Sequence, residues 1–591
     1  MSDRNYWQRM KKRQYSRRSL LRASARAGLG ASAIALIGCG DDDDDGQQQA
    51  AAQAQAQQQQ QQQAMQQQAQ EQPEQQAMQQ EQQQQAAVAQ AQQADDGPKR
   101  GGRMIMGDLH SFEDDVTLPY AIGDGRSTQP PDAGVWDWLM QRGDTLDPEP
   151  RLAESWEQNG DATATIVKLR PGLEFHNGKP LNAEAVKLSY EAMNWEDTPN
   201  SQVRALAAAY LDSIDVIDDI TVQFNHANWP GPVIYDLITF APIADADTIP
   251  ALAAMEEING SGPFKFDFDQ WEPGATWVAV PHENGYLTPY LDSIEYRTIA
   301  DEDTQVLALE SGELDVTHIP ATQFARLGAL DHISTSVFPP LGYWVVGPTG
   351  TGLGGGHPAN DDPRFRLALQ KAIDRERLHE DIFEGIYPIS NQMWLPTSPA
   401  YDPQYDVVHY DPEGARALLE EAGLVGTQIG IHFFEGQVPS GAPEIVQANF
   451  QAVGIDATLE VIDRALWIEY FLSGTMPGLY MASTGFFWMN PETLPNMNYQ
   501  FRKDNALAFG NGTGPDHAEY NAIVEGFASQ PTAAERQELF DRWNKLYSEA
   551  PWLLPYSGLG HTAAYNNTRV GGFRYAQASA KLHKEDLWLI T

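Results

Sequence analysis

The chain contains residue types that could carry out chemistry, but their spacing forms no catalytic or metal-binding motif. Thirteen histidines lie between His110 and His583, and no two are within four residues of each other, so a helical zinc motif is excluded. There is no Gly-x-Ser-x-Gly turn for a nucleophilic serine. Cys39 is the only cysteine, which rules out an intrachain disulfide and a multi-cysteine zinc site. We therefore predict no catalytic residue, no metal and no cofactor, although distant histidines could still converge.

A glycine-rich segment at residues 350–356 has a superficial similarity to a phosphate-binding loop. A phosphate loop leads directly into a helix, whose first N–H groups hold the phosphate. Here Pro358 and the pair Asp361-Asp362 follow instead. We interpret the segment as a flexible loop.

Cys39 lies at the end of a segment typical of an export signal. Residues 4–26 are basic, and the uncharged stretch 27–38 is too short to span about 30 Å of hydrocarbon. The run Ser16-Arg17-Arg18-Ser19-Leu20-Leu21 resembles a twin-arginine export motif, and Leu36-Ile37-Gly38-Cys39 resembles a bacterial lipobox. We predict a twin-arginine lipoprotein signal peptide at residues 1–38 and a lipid on Cys39. The alternative is an ordinary basic signal region with a chance cysteine.

The next segment, residues 39–100, has no composition that could form a core. It contains five consecutive aspartates and 28 glutamines among residues 47–93, with alanine in most of the other positions. Such a composition predicts a disordered tether between the membrane and a folded domain. The whole chain has a formal charge of -42, and it reaches -50 without the first 38 residues, which hold nine basic residues and one acidic residue. Nucleic acid and anionic membrane surfaces are poor partners for such a negative field, so we expect no nucleic-acid partner.

The elements that must position any functional residue begin after Gly101. Residues 162–169 alternate as a strand, Asn182 caps a helix, and alternating residues around Asp218-Asp219 predict a hairpin. Further helices are predicted at 363–380 and from Asp411-Pro412 to Gly423. Residues 429–462 read as strand, helix and strand, which implies a parallel pair. The predicted class is α/β.

An ordered set of motifs resembles family 5 of the extracellular solute-binding proteins, the peptide, oligopeptide and nickel receptors of ABC importers. The resemblance runs in order across most of residues 101–591. Its segments are Arg151–Glu157, Gly172–Glu184, Gly260–Phe264, Tyr290–Arg297, Ala308–Asp315, Asp362–Leu369, Ala372–Arg375, Tyr410–Glu413 and Glu421–Gly423.

The resemblance implies a two-lobed periplasmic-binding-protein-like fold of the large type II, with a hinge of two crossing strands. We place the crossings near Ile299-Ala300 and Pro555-Tyr556. Lobe I is then expected at residues 101–299 plus 556–591, and lobe II at residues 300–555. The implied partners are a small solute that is peptide, peptide-like or sugar-like, and the permease subunits of an ABC transporter. We expect a monomer attached to the membrane by its lipid.

Peptide-binding members of this family often place an aspartate after a strand of lobe II, where it pairs with the amino terminus of the ligand. Aligned on Pro491, Phe487 stands in place of that aspartate and Asn490 replaces a second one. A buried ammonium without a counter-charge costs several kcal/mol. Phe487 and Trp488 instead offer a stacking surface for an apolar, aromatic or sugar-like solute, unless they pack in the core.

Other candidate ligand contacts come from the same resemblance. Tyr343 and Trp344 lie on one predicted strand, so alternation lets only one of them face the cleft. Trp394 lies in a loop that often reaches the ligand in this family, and core packing is an equal alternative for all three. Arg364 and Arg366 could pair with a ligand carboxylate, or they could lie on a solvated helix face.

We therefore expect an exported, lipid-anchored protein at the outer face of the cytoplasmic membrane, in the periplasm or at the cell surface. Its expected function is to deliver a solute to an ABC permease, and we do not expect an enzyme. Two alternatives are a secreted hydrolase with dispersed carboxylates and a tethered surface scaffold or adhesin that uses the glutamine-rich stalk.

Overall fold

The structure is a computed structural model in which residues 96–591 form one compact unit. It describes residues 97–109, 134–161, 163–193, 204, 207–208, 210–227, 233–253, 256–338, 340, 342–352, 354–407, 410–484, 491, 516–528, 532–576 and 582–590. The predicted signal peptide and nearly all of the predicted tether lie outside these residues.

The larger of two main sheets has seven strands in the order β10-β11-β12-β1-β13-β20-β14. Their bounds are β1 Arg103–Asp108, β10 Phe264–Phe266, β11 Thr276–Pro281, β12 Ser293–Thr298, β13 Val316–Ile319, β14 Ile333–Val337 and β20 Thr562–Asn566. Strand β1 is parallel to β12 and to β13, and β20 is antiparallel to both β13 and β14. The sheet therefore joins segments from both ends of the described chain.

The second main sheet has five strands in the order β17-β16-β18-β15-β19. Their bounds are β15 Tyr343–Pro348, β16 Gln428–Phe433, β17 Asp456–Val461, β18 Leu479–Thr484 and β19 Leu554–Gly558. The predicted strand-helix-strand unit is confirmed, because β16 and β17 are parallel and a helix at Ala442–Ala452 connects them.

A four-stranded sheet and three two-stranded pairs complete the described strands. The four-stranded sheet contains β5 Ala153–Gln158, β6 Ala164–Leu169, β8 Thr221–His226 and β7 Leu211–Asp218, in that order. The pairs are β2 Asp137–Trp138 with β9 Pro242–Ile243, β3 Met140–Arg142 with β4 Pro148–Pro150, and β21 Val570–Gly571 with β22 Trp588–Leu589. The hairpin of β7 and β8 and the strand β6 confirm the sequence predictions.

Helices cover the sheets and connect their strands. Their bounds are α1 Ala183–Ala192, α2 Val233–Phe240, α3 Ile249–Ala253, α4 Glu302–Ser311, α5 Ala321–Leu327, α6 Pro363–Ala372, α7 Arg375–Asp381, α8 Pro412–Ala422, α9 Ala442–Ala452, α10 Arg464–Ser473, α11 Asp516–Ala528 and α12 Ala533–Glu549. Helix α1 begins after Asn182, whose side chain accepts from the backbone N–H of Ala185, as predicted. Helix α8 ends at Gly423 in the left-handed conformation (φ 70°), also as predicted. None of the described helices is long and apolar enough to cross a membrane.

One predicted helix is two helices in the structure. The sequence predicted a continuous helix at 363–380, but the backbone becomes extended at Ile373 (φ -73°, ψ 116°). Asp374 then caps α7, because its carboxylate accepts a hydrogen bond from the backbone N–H of Arg377. An aspartate competes for backbone donors in this way, so it favours a cap over a helix interior.

The passage between the two main sheets differs from the predicted crossings. Strands β13 and β14 follow Ile299 in sequence, yet both remain in the seven-stranded sheet because they pair with β20. The chain therefore passes to the second sheet between Val337 and Tyr343, later than expected. It returns between Gly558 and Thr562, close to the expected second crossing. The division of the chain between lobes stays a prediction.

Candidate functional site

The chain passes from one main sheet to the other at one edge of each sheet. We call this region the crossing edge. In the second sheet, Tyr343 at the start of β15 lies opposite Thr484 at the end of β18 and Gly558 at the end of β19. In the first sheet, the register of the parallel strands brings Asp108 at the end of β1 beside Thr298 at the end of β12.

Strand ends of this kind commonly form binding sites. In open α/β sheets, ligands bind outside the carboxyl ends of parallel strands, where the topology changes direction. Strands β1, β12 and β13 all run toward the crossing edge. The crossing edge is therefore the candidate functional site.

Two short segments carry the chain across this edge, residues 338–342 and 559–561. The backbone N–H of Phe338 donates to the carbonyl of His561 at 2.9 Å, and that of Leu559 donates to the carbonyl of Gly342 at 2.8 Å. Gly560 lies so close to Tyr387 that a Cβ atom would be 2.5 Å from the Cδ1 atom of that ring. Backbone hydrogen bonds therefore join the described ends of the two segments, and Gly560 leaves no room for a side chain.

Tyr343 and Trp344, both predicted ligand contacts, have different surroundings. Tyr343 is buried (2% exposed), and its hydroxyl donates to the carbonyl of Trp394 at 3.1 Å. Burial raises the pKa of Tyr343 well above its ordinary value. Trp344 is half-buried and packs against the hydrophobic core of the second sheet. Trp344 is thus the more accessible of the two.

The predicted contact Trp394 lies in an aromatic core. It is 1% exposed, its ring centroid is 5.5 Å from that of Trp543, and its indole N–H donates to Asn544 Oδ1 at 2.8 Å. Asn544 also donates to the carbonyl of Ala400 at 2.8 Å. Its ring therefore packs against Trp543, and its indole N–H already has a partner within the protein.

The remaining predicted site residues lie outside the described residues. These are Cys39, Phe487, Trp488 and Asn490. Thr484, three residues before Phe487, pairs with Tyr343 at the crossing edge. The chain therefore leaves β18 at this edge, directly before the predicted aromatic contacts.

Both arginines that we considered for a ligand carboxylate have partners within the protein. Arg366 is 3% exposed and donates to the carbonyls of Pro551 and Asn360 and to the carboxylate of Asp516. Arg364 pairs with Asp362 and, at 3.5 Å, with Glu421. Arg366 holds the start of α11 against α6, a structural role.

Sequence reasoning missed a pocket at the crossing edge of the first sheet. Consecutive residues of two neighbouring strands line it, residues 106–108 of β1 and residues 316–318 of β13. Tyr575, Leu582 and Lys584, near the C-terminal end of the chain, also line it. Asp108 ends β1, and no local sequence pattern connects it with residues more than 400 positions later.

The pocket combines charged, neutral polar and aromatic groups. Asp108 and Lys584 are 5% and 6% exposed, and the Lys584 ammonium lies 5.9 Å from the centre of the Tyr296 ring. Burial, with smaller effects from His561 and Lys584, lowers the pKa of His318 to about 3. His318 is therefore neutral at physiological pH. Its ring meets Phe338 and His561 edge-on, with centroids 5.4 and 6.2 Å away.

The described residues form no metal centre. Nowhere in the described ranges are three or more His, Cys, Asp or Glu side chains placed to hold a metal ion.

Residues 147–506 match the protein family described as bacterial extracellular solute-binding proteins, family 5. The fold is similar to that of the DppA periplasmic binding protein from Helicobacter pylori in complex with the peptide STSA (TM-score 0.69, 21% identity, 83% of this chain and 99% of that one). It is equally similar to NikA from Brucella suis in complex with Fe(III)-EDTA (TM-score 0.69, 20% identity, 83% and 100%).

Proteins similar in sequence are also named as binding proteins. The glutathione-binding protein GsiB of Pectobacterium atrosepticum is 27% identical over 71% of this chain and 82% of its own length. The oligopeptide-binding protein AppA of Bacillus subtilis is 22% identical over 83% and 92%. These relatives are binding proteins, and none of them supports the hydrolase or scaffold alternative.

Fold and strand topology together define the two-lobed α/β architecture of periplasmic binding proteins. The chain belongs to family 5 of the bacterial extracellular solute-binding proteins.

Proposed function

We propose that this protein captures a small solute at the crossing edge and presents it to the permease of an ABC importer. The observation that carries the proposal is the pair of crossing segments at residues 338–342 and 559–561. Within the described residues these are the chain's two passages between the main sheets, and the ends of β1, β12, β15 and β18 converge beside them. Two paired connections permit a hinge, and hinge closure around a solute is the usual motion of such proteins.

The solute that we favour is a peptide or a peptide-like molecule. Support comes from the relatives named for glutathione and oligopeptides. Phe487 in place of the usual aspartate keeps a second possibility open, a blocked peptide or a sugar-like solute that stacks on Phe487 and Trp488.

We further propose that the protein works as a monomer attached to the outer face of the cytoplasmic membrane by a lipid on Cys39. The support is the order and spacing of the twin-arginine motif and the lipobox. The Cys39→Ala variant should still be exported but should be recovered in the soluble envelope fraction. The Arg17→Lys, Arg18→Lys double variant should instead remain in the cytoplasm. Membrane retention of Cys39→Ala would show that another feature anchors the protein.

Thermal unfolding of the full-length protein in detergent tests the solute-binding function. The panel is free peptides, N-blocked peptides, oligosaccharides and divalent metals. A solute at 100 times its dissociation constant should stabilise the folded state by about 2.7 kcal/mol. Native mass spectrometry first checks that no solute has co-purified. If the protein is empty and no class of solute raises the midpoint, the proposed function is wrong.

A further inference from the structure

Two consecutive residues, Tyr387 and Pro388, contact the crossing segment 559–561 at both of its ends. At the second sheet, the backbone N–H of Gly558 donates to the carbonyl of Pro388 at 2.8 Å. At the first sheet, the hydroxyl of Tyr387 donates to Thr562 Oγ1 at 3.4 Å. These two residues therefore bridge the passage that the chain makes from β19 to β20.

The side chain of Tyr387 packs in the second sheet. It is 5% exposed and lies in the hydrophobic core of that sheet, where its ring centroid is 5.8 Å from that of Phe383. Burial, with a smaller contribution from the Glu302 carboxylate, raises the pKa of Tyr387, so the hydroxyl keeps its proton and acts as a donor. The ring is held in one sheet while its polar atom bonds to the other.

Thr562 is the residue at which the chain re-enters the first sheet. It begins β20 and lies in register with Ile319 of β13 and with Val337, the last residue of β14. Its hydroxyl accepts from Tyr387 and donates to the carbonyl of Ile319 at 2.6 Å. The other crossing segment begins directly after Val337. The Tyr387 hydroxyl therefore bonds at the place where both crossing segments meet the first sheet.

Gly560 lies within the crossing segment, against the ring of Tyr387. A Cβ atom at Gly560 would be 2.5 Å from Cδ1 of that ring and 3.3 Å from the carbonyl oxygen of Phe338. A hinge bends through changes of φ and ψ in a few residues of its connecting segments. Such changes at residues 559–561 must displace Gly560 or Thr562 relative to Tyr387. The contacts of Tyr387 therefore depend on the angle between the two sheets.

We infer that Tyr387 is a positioning residue for solute capture, because its hydroxyl bond to Thr562 stabilises one orientation of the two main sheets. The inference rests on the proposed solute-binding function and names a residue that adjusts it through the hinge. A neutral hydrogen bond of ordinary net strength changes the equilibrium between two conformations by about 2- to 10-fold. The apparent affinity for a solute depends on the fraction of molecules in the binding conformation, so it should change by at most the same factor.

Spin-label distances in the full-length, solute-free protein test the inference. In every labelled protein Cys39→Ala removes the only cysteine. Glu313→Cys, after α4, and Glu444→Cys, on α9, then place labels at exposed sites beside the first and the second sheet. Native mass spectrometry first checks that no solute is bound.

Tyr387→Phe removes the hydroxyl and keeps the ring. The proportion of molecules at the label distance of the unaltered protein should fall, relative to all other distances, by about 2- to 10-fold. Amide hydrogen exchange of residues 558–562 should accelerate by a similar factor, because it reports local opening. Thr562→Val should shift the same distances, and Tyr387→Phe should add little in that background.

Tyr547→Phe is the matched control. Tyr547 is similarly buried (3% exposed), and its hydroxyl donates to the carbonyl of Leu553, within the second core region rather than across the crossing segments. Its loss should lower the unfolding midpoint and leave the label distances unchanged. If Tyr387→Phe fails to fold, Thr562→Val decides alone.

Two results would overturn the inference. One is a set of label distances that Tyr387→Phe leaves unchanged, even where its unfolding midpoint falls, since Tyr387 would then only pack. The other is an equal change of the distances in Tyr547→Phe. Both results leave the proposed receptor function intact. A protein that shows the predicted distance change but binds no class of solute counts against the receptor function instead.

Discussion

Replacing Trp394 by phenylalanine distinguishes a core residue from a ligand contact. In the structure the indole N–H donates to Asn544 Oδ1 at 2.8 Å, and the residue is 1% exposed. Phenylalanine keeps an aromatic ring but removes this donor. The Asn544 oxygen is then left buried without its donor, which costs about 1–3 kcal/mol. The smaller ring leaves a cavity of a few tens of Å³, which adds about 1 kcal/mol.

The expected loss of unfolding free energy is thus about 2–4 kcal/mol. The compact unit covers residues 96–591. With an unfolding entropy of about 2.1 cal/mol/K per residue, the whole unit has about 1 kcal/mol/K. If it unfolds cooperatively, the midpoint in calorimetry should fall by about 2–4 °C. Affinity for a solute that stabilises the unaltered protein should change less than twofold.

A double-mutant cycle with Asn544→Leu separates the hydrogen bond from the packing. The double variant removes donor and acceptor together, so its loss should be smaller than the sum of the single losses by about 0.5–3 kcal/mol. Trp344→Phe is the control for an accessible tryptophan, and it should cost little stability. The reasoning is refuted if Trp394→Phe keeps its midpoint but loses tenfold or more in affinity. That result would place Trp394 against the solute.

Three further predictions concern the hinge, acid and salt. Gly560→Ala would bring a Cβ atom within 2.5 Å of Tyr387, so the free energy of unfolding measured with denaturant should fall by about 1–3 kcal/mol. The control Gly160→Ala has no atom within 4 Å of the new Cβ and should be neutral. Equal losses in the two variants would contradict close packing at Gly560. Burial lowers the pKa of His176 and of His318 to about 3, so below pH 6.5 the unfolded chain binds protons that the folded chain does not. Each histidine should therefore reduce stability by about 1.4 kcal/mol per pH unit as pH falls toward 3, and His176→Gln should flatten this slope in urea titrations between pH 6 and 4. A formal charge of -42 predicts that the thermal midpoint rises between 0.05 and 1 M KCl, and a midpoint that falls with salt would refute net repulsion as a destabilising force.

Local features of the fold could be predicted because short-range physics decides them. Asn182 before α1 and Gly423 after α8 act as caps through contacts within a few residues. Alternating apolar residues fix which face of β7 and β8 is buried wherever one face meets the core. The family resemblance was readable for the same reason, since its motifs are contiguous segments.

Features that depend on distant residues could not be read in this way. Strand β13 belongs to the first sheet because it pairs with β20, almost 250 residues later, and no local pattern announces that partner. The predicted helix at 363–380 is interrupted at Asp374, whose backbone N–H donates to Asn449 Oδ1 on α9 at 3.0 Å. The sequence around a loop tryptophan does not indicate whether its N–H donates to another side chain or to a solute. Only the structure shows that the Trp394 N–H donates to Asn544 on α12.

The sequence by itself determined the class of this protein and the caps and periodicities of its elements, and it predicts an export signal. All of these features depend on neighbouring residues. Tertiary structure alone decided where the chain crosses between sheets and that Asp108, His318 and Lys584 share one pocket. The physical reason is that strand pairing and burial bring together segments that are far apart in the chain. Separation in sequence does not reveal which of these segments are close in space.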